Sequence, residues 1–368
     1  MGGKPIRTER LRSTRLLPML CFCLSGAAWV VGAEPQVARY ANPCEEIEAQ
    51  LSFAQKALDR GQITEAERIL TPLETSYSGC SEFLVNLARL RASQKDLITA
   101  QQLFSRASLL APQDARPYYY LAQFHFSQQH YRQADYFSER ALALDPAYPA
   151  ALILRGQILA MKRQTAAARE LLEKACKLDP DDPEAHFQLG VLYDSRQLHS
   201  EAVEQFERVI SLRPHDPRAY DYLALNLESL GEPKKAEGNY LKGLQVNDGP
   251  LFDFFLDYNY GRFLMKGNQL ADSKVYLDRA LRLAPQTRAV YYEHGRLNLR
   301  LQKYKEAHVD AERALSLPDP SGNVLDLQVY YLLATIYTRL GNTELAQKYA
   351  GLCRTSRVPT PAQGRGDR

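Results

Sequence analysis

The sequence of 368 residues lacks the residue patterns from which most catalytic and metal sites are built. It has six cysteines and seven histidines, and no cysteine pair or cysteine–histidine set has the spacing of a zinc site. The HExxH, GxSxG, P-loop and GxGxxG patterns are also missing. We therefore expect no catalytic residues, no metal ligands and no cofactor, and an enzyme is the disfavoured class of function.

The small excess of positive charge is confined to the N-terminus. The chain has 46 basic and 43 acidic residues, but residues 1–33 contain five of the basic residues and one of the acidic ones. The remainder is nearly neutral, so it has no electrostatic reason to bind the phosphates of DNA or RNA. We expect no nucleic-acid partner.

Residues 1–33 have the pattern of a secretory leader. Arginine-rich residues 1–15 precede a run without charge, 16–33, which ends in the small residues Val31-Gly32-Ala33. The alternative is an uncleaved anchor, because a run of this length can just span a bilayer, although Pro18 and Gly26 weaken that interpretation. Either outcome predicts an extracytoplasmic chain, periplasmic or secreted, which contacts the membrane only through a retained leader. The absence of an Asn-x-Ser/Thr site favours a bacterial envelope.

An internal repeat fills most of the chain. Prolines recur at a constant interval, at Pro112, Pro146, Pro180 and Pro214, and this frame divides residues 47–353 into nine units. The eighth and twentieth residues of all nine units are small. The eighth are Ala54, Ala88, Ala122, Gly156, Gly190, Ala224, Gly261, Gly295 and Ala334; the twentieth are Ala66, Ala100, Ala134, Ala168, Ala202, Ala236, Ser273, Ala307 and Ala346. Small residues at fixed positions indicate that two helix backbones approach each other closely in each unit.

Each unit is expected to form two helices. Asp182 can cap a helix whose first turn contains Pro183, and apolar residues then recur at three- and four-residue steps. The pattern Leu189-Gly190-x-x-Tyr193, Ala202-x-x-x-Phe206, Pro214 resembles the tetratricopeptide repeat. This resemblance implies an all-α fold, a right-handed superhelical solenoid of about nine helix-turn-helix repeats.

The resemblance also defines the expected organisation of the chain. A signal peptide or anchor (1–33) and a linker (34–46) precede the solenoid (47–353). A tail (354–368), rich in proline and glycine and without apolar periodicity, is predicted to be disordered. The repeat frame slips by three residues near 249–251 and by five near 322–326. The aromatic segment after the first slip predicts either a well-packed helix pair or a local pocket.

The first helix of each unit lines the concave face of tetratricopeptide arrays, so the resemblance implies a peptide-binding groove. The candidate groove residues are Tyr119, Phe187, Tyr258, Arg262, Tyr292, Arg296 and Tyr331. The rings could cover apolar side chains of an extended peptide while the arginines bind carboxylates or carbonyl groups. The alternative is that the rings pack against neighbouring helices. The segment from Tyr258 to Arg296 is predicted to be the main binding surface.

These observations predict a non-enzymatic protein–protein interaction scaffold, which binds an extended peptide or a partner subunit in its groove. The alternative is a membrane-anchored assembly factor for an envelope complex, which differs only in keeping residues 1–33. The sequence contains no indication of the oligomeric state.

Cys44 and Cys80 are predicted to form a disulfide bond. They precede the first helices of consecutive units, and closing a loop of this size should stabilise the protein by about 3–4 kcal/mol. Equivalent points of adjacent helices are roughly 8–10 Å apart, farther than a disulfide allows. The bond therefore requires Cys44 to lean toward the second unit.

Overall fold

The computed structural model describes residues 44–249, 252–319, 322 and 324–356. The expected signal peptide, most of the expected linker and tail, and residues 250 and 251 of the first insertion lie outside these described residues. Within them the chain forms two 3-10 helices (Glu45–Ile47 and Thr71–Leu73), eighteen α-helices and no strand. The α-helices are α1 (Glu48–Asp59), α2 (Ile63–Leu70), α3 (Ser81–Ser93), α4 (Leu97–Leu110), α5 (Ala115–Ser127), α6 (Tyr131–Leu144), α7 (Pro149–Met161), α8 (Thr165–Leu178), α9 (Pro183–Ser195), α10 (His199–Leu212), α11 (Pro217–Ser229), α12 (Pro233–Gln245), α13 (Phe255–Lys266), α14 (Leu270–Leu283), α15 (Arg288–Arg300), α16 (Tyr304–Ser316), α17 (Asp326–Arg339) and α18 (Thr343–Thr355).

Consecutive helices pair as antiparallel hairpins. Each odd-numbered helix packs along the even-numbered helix that follows it, and each even-numbered helix also contacts the next odd-numbered one. Nine hairpins therefore stack in chain order, as the repeat frame predicted, and the all-α solenoid fold is confirmed. The last helix extends through residues 354 and 355, and the first 3-10 helix lies within the segment expected to be linker.

Local sequence signals set the ends of the helices. The side chain of Asp182 accepts a hydrogen bond from the backbone N–H of Glu184 at 2.9 Å, and Pro183 occupies the first turn of α9, as predicted. The turn inside each hairpin places one residue in the left-handed region of backbone space. That residue is Gly61, Lys95, Gln129, Arg163, Gln197, Gly231, Asn268, Gln302 or Gly341. The same turn geometry thus recurs in all nine hairpins.

The small residues are a steric requirement of the hairpin. A Cβ atom added at Gly190 would lie 2.9 Å from the ring of Phe206, and one added at Gly156 would lie 2.7 Å from Leu172. Every residue at the twentieth position from the first to the eighth unit is fully buried. The two helices of each hairpin can therefore pack closely only because these positions lack bulk.

The three-residue insertion is closed by side-chain hydrogen bonds. The amide of Asn247 donates to the carbonyl of Asp253 and accepts the backbone N–H of Asp253, both at 2.7 Å. The carboxylate of Asp253 then accepts the N–H of Phe255 at 2.9 Å, which caps the first turn of α13. The aromatic segment that follows forms the packed pair α13–α14, in which Tyr258 and Tyr260 are buried.

Candidate ligand groove

The candidate groove is the face formed by the fifth and ninth residues of the odd-numbered helices. Two pairs on this face have the arrangement that the sequence predicts. The guanidinium carbon of Arg262 lies 5.8 Å from the ring centre of Tyr258, and that of Arg296 lies 5.7 Å from the ring centre of Tyr292. Residues four apart on a helix share a face, so ring and cation are presented together in both units.

The two arginines differ in their acidic partners. Arg296 donates to both carboxylate oxygens of the buried Glu293, at 2.9 and 2.8 Å. Arg262 forms no salt bridge within 4.0 Å with a described residue, and its aromatic neighbour on the helix is the ring of Tyr258. The guanidinium of Arg262 is therefore available to an external carboxylate, whereas that of Arg296 is already neutralised.

Two carboxylates whose charge acts on Arg262 are engaged elsewhere. Glu228 accepts hydrogen bonds from the hydroxyl of Tyr240 at 2.5 Å and from the ammonium of Lys266 at 2.8 Å. Glu293 accepts the bonds from Arg296. These two acids act on Arg262 through their charge and form no salt bridge with it within 4.0 Å.

Other arginines of the odd-numbered helices are paired. Arg89 donates to Asp59 at 2.5 Å, and Arg116 and Arg218 each have a nitrogen 2.8 Å from a carboxylate oxygen two residues earlier, on Asp114 and Asp216. Arg262 is thus distinguished from these arginines by the absence of a carboxylate partner among the described residues.

The remaining predicted groove residues have different environments. Phe187 is only 6% exposed, contacts Phe206 and Tyr222, and is covered by the guanidinium of Arg218 at 4.6 Å. Its ring therefore packs between helices and leaves little surface for a ligand. Tyr331, in contrast, is 67% exposed on α17.

Tyr119 belongs to an aromatic cluster with the rings of Tyr120 and Tyr148, whose centres lie 5.0 and 5.2 Å away. Burial raises the pKa of Tyr119 to about 12. Next to this cluster is a cavity of about 130 Å³ that the sequence analysis did not identify. The run of three tyrosines at 118–120 was the only sequence signal of it, because its wall combines residues of three successive units.

The structure joins Cys44 and Cys80 by a disulfide bond, and their Cα atoms are 5.3 Å apart. The expected separation of roughly 8–10 Å does not apply, because Cys44 lies before the 3-10 helix Glu45–Ile47 and not at an equivalent point of its unit. The Sγ atom of Cys80 also accepts the N–H of Phe83 at 3.2 Å and so caps α3. Cys176 and Cys353 are not disulfide-bonded.

The described part of the chain shows neither a metal-binding cluster nor a membrane-crossing helix. Its histidine, cysteine and acidic residues form no group of three that could hold a metal ion. None of its helices combines the length and hydrophobicity that a membrane crossing needs.

Comparisons with known families and structures agree with the fold. A family model described as TPR repeat matches residues 164–194, and one described as tetratricopeptide repeat matches residues 183–216 and 327–353. A search of curated proteins finds no significant match. The matched segments are tetratricopeptide repeats, and the stacked helical hairpins with their small-residue columns have the fold of a tetratricopeptide-repeat solenoid.

Solved structures show the same architecture. The chain is similar to PilF of Pseudomonas aeruginosa (19% identity, TM-score 0.50, covering 57% of this chain and 94% of that one). It is also similar to PilW, described as a widely conserved type IV pilus biogenesis factor (20% identity, TM-score 0.50, covering 56% and 92%). A third similar structure is that of the APC/C hetero-tetramer Cut9–Hcn1 (16% identity, TM-score 0.64, covering 79% and 57%). At these identities the similarity concerns the fold.

Proposed function

We propose that this protein is a non-enzymatic interaction scaffold that binds an extended peptide or a partner subunit in its groove. The tetratricopeptide fold supports this proposal, because a stack of hairpins presents a long continuous surface made of repeated positions. The matching family models describe repeats of this kind and not a catalytic domain.

The unpaired guanidinium of Arg262 is the observation that carries the proposal. Its planar set of donors suits a carboxylate, and such charge-assisted hydrogen bonds are stronger than neutral ones. The buried ring of Tyr258 packs beside the guanidinium and helps to hold it in place. The ligand is therefore an acidic side chain or the C-terminal carboxylate of a protein.

The compartment is proposed from the leader. A cleaved segment 1–33 would release the scaffold into the periplasm or outside the cell, with a bacterial envelope the favoured setting. A retained segment would make the protein a membrane-anchored assembly factor. The mass of the mature chain purified from cells distinguishes the two, because cleavage removes the whole of this segment.

Affinity capture from an envelope extract tests the groove. We expect wild-type protein to retain its partner, and Tyr258→Ala combined with Arg262→Ala to weaken retention by at least ~1–2 kcal/mol, as for interface hot spots. Arg296→Ala should weaken it less, because Glu293 already neutralises that guanidinium. Lys234→Ala, on the exposed surface of α12, is the matched control and should have little effect.

Equal capture by the wild type and by a correctly folded Arg262→Ala/Arg296→Ala double variant would contradict this site. The concave face at α13 and α15 would then be structural, and the partner would bind elsewhere.

A further inference from the structure

We propose that the cavity beside the tyrosine cluster binds a proline side chain from an extended, uncharged peptide segment. We call it the Asn86 pocket. Its lining consists of Val85, Asn86, Pro117, Tyr120 and Tyr148 together with the polar or charged residues Gln55, Ser81, Glu82, Asp114 and Arg116. It lies among α1, α3, α5 and the residue before α7, whereas Arg262 lies on α13, so it is a separate site that does not depend on the proposed role of Arg262.

The side chain of Asn86 points to a missing ligand. It is only 2% exposed, it lines the cavity, and its amide forms no hydrogen bond with any described residue. A buried amide without partners is unfavourable, and most such groups in folded proteins are hydrogen-bonded. The amide of Asn86 can donate to a backbone carbonyl of a peptide that enters the pocket.

The two tyrosine rings in the wall of the pocket are held in place. The ring of Tyr119 contacts both Tyr120 and Tyr148, and the guanidinium of Arg89 lies 5.0 Å from the ring centre of Tyr120. Asp59 in turn holds Arg89. These contacts fix the two tyrosine rings before a ligand arrives, which lowers the entropy cost of binding.

The size and shape of the pocket suit proline. A cavity of about 130 Å³ can hold about four water molecules at ~30 Å³ each, or one medium-sized side chain. Aromatic-lined grooves bind proline-rich segments because the polyproline II conformation is extended before binding. The flat proline ring can pack on tyrosine while its chain presents carbonyl groups to Asn86.

The rim of the pocket carries one arginine and two carboxylates. Arg116 lies 2.8 Å from a carboxylate oxygen of Asp114 and 3.4 Å from one of Glu82. The arginine is therefore already paired within the protein and the rim has a net negative charge, so an uncharged segment fits this pocket better than the carboxylate proposed for Arg262.

Fluorescence anisotropy with a labelled octaproline peptide tests the proposal on the purified full-length protein. A labelled Gly-Ser octapeptide is the control ligand. We expect the wild type to bind octaproline at least tenfold more tightly than the Gly-Ser peptide. Asn86→Ala and Tyr148→Ala should each remove at least tenfold of that affinity. Tyr148→Phe should bind like the wild type, because it keeps the ring.

Two further variants define the site. Tyr331→Ala removes an exposed tyrosine of the last unit, and Arg262→Ala removes the side chain proposed to bind a carboxylate of the partner. Neither substitution should change octaproline binding. Circular dichroism checks that each variant is folded. If Asn86→Ala unfolds, the comparison of octaproline binding by Tyr148→Ala and Tyr148→Phe still tests the proposal. Equal binding of the two peptides by the wild type, or unchanged octaproline binding by Tyr148→Ala, would overturn the proposal.

Discussion

His294 is hydrogen-bonded to Asp310, with Nδ1 of the imidazole 2.8 Å from a carboxylate oxygen. Its other nitrogen, Nε2, lies 2.9 Å from a carboxylate oxygen of Asp278. An ionised carboxylate only accepts hydrogen bonds, so both contacts are satisfied when the imidazole carries two protons. Because Asp278 is on α14, His294 on α15 and Asp310 on α16, this histidine links two adjacent hairpins.

The link through His294 should make stability depend on pH. Burial acts to lower the pKa of His294, but the hydrogen bonds and charges of Asp310 and Asp278 outweigh it and raise that pKa. The folded state therefore holds the proton more tightly than the unfolded state. Its contribution to the free energy of unfolding is present below pH about 6.5 and is lost as the pH rises through the raised pKa.

Urea denaturation of the wild type and His294→Gln measures this contribution. We expect the wild type to exceed the variant in free energy of unfolding by more at pH 6 than at pH 8.5. A difference that stays constant over this range would contradict the assignment of a doubly protonated imidazole.

The contribution of Asp221 to the free energy of unfolding should also depend on pH, and its change should begin at a lower pH than that of His294. It is buried on α11, and the amide of Asn259 on α13 donates to one of its oxygens at 2.7 Å. Burial first, and then the charge of Asp253, raise the pKa of Asp221 well above its usual range. Since the folded state binds this proton more tightly, stability falls as the pH rises from about 3.9 through the raised pKa.

Asp221→Asn mimics the protonated form, because its amide oxygen can still accept the bond from Asn259. We expect the variant to resemble the wild type near pH 4 and to be more stable at pH 8 by urea denaturation. Asp272→Asn, at an exposed position of α14, is the control and should change stability little at either pH. Equal stability of wild type and Asp221→Asn at pH 8 would show that the folded state does not bind the proton of Asp221 more tightly than the unfolded state.

Two glycine-to-alanine variants should have opposite effects on stability. At Gly190 the added Cβ would lie 2.9 Å from the ring of Phe206, so we expect Gly190→Ala to destabilise the protein by about 1–3 kcal/mol. At Gly238, inside α12, nothing lies within 4 Å, so Gly238→Ala should stabilise it by up to about 1 kcal/mol. Chemical denaturation checks both, and the same sign for both would refute the steric explanation of the small-residue columns.

The disulfide and the helix cap at Cys80 can be separated by two substitutions. Cys44→Ser removes the bond and leaves the Cys80 sulfur to cap α3, so it should destabilise the oxidised protein by about 3–4 kcal/mol. Cys80→Ala removes bond and cap, so its effect should be larger. Mass spectrometry without reductant should find the wild type about 2 Da lighter than its reduced form if the bond is present. Detection of free thiols at Cys44 and Cys80 in envelope-purified protein would exclude the bond.

The repeat frame could be predicted because its signals lie within single units. Pro183 after Asp182 determines where a helix begins, and Gly190 opposite Phe206 determines how closely its partner helix can approach. Each of these signals acts within one repeat and recurs in other units, so the pattern is visible without knowledge of the fold.

The signals within single units could not predict which groove side chains are open to a ligand and which are covered by other units. The i, i+4 spacing correctly placed Arg262 beside Tyr258, because that relation is local to one helix. It did not predict that Arg218 of the next unit covers Phe187. The partner in that contact comes from another hairpin, and its position depends on the rotation between units.

The sequence by itself determined the nine hairpins, their capped starts and their close packing, because proline, aspartate and small residues act on the backbone near them. Only the tertiary structure decided which polar groups are satisfied. Asn259 reaches Asp221 of the preceding hairpin, whereas Asn86 is buried beside a cavity without a partner among the described residues. These outcomes depend on how neighbouring units are stacked, since a buried side chain can bond only to the groups that stacking brings within about 3 Å of it.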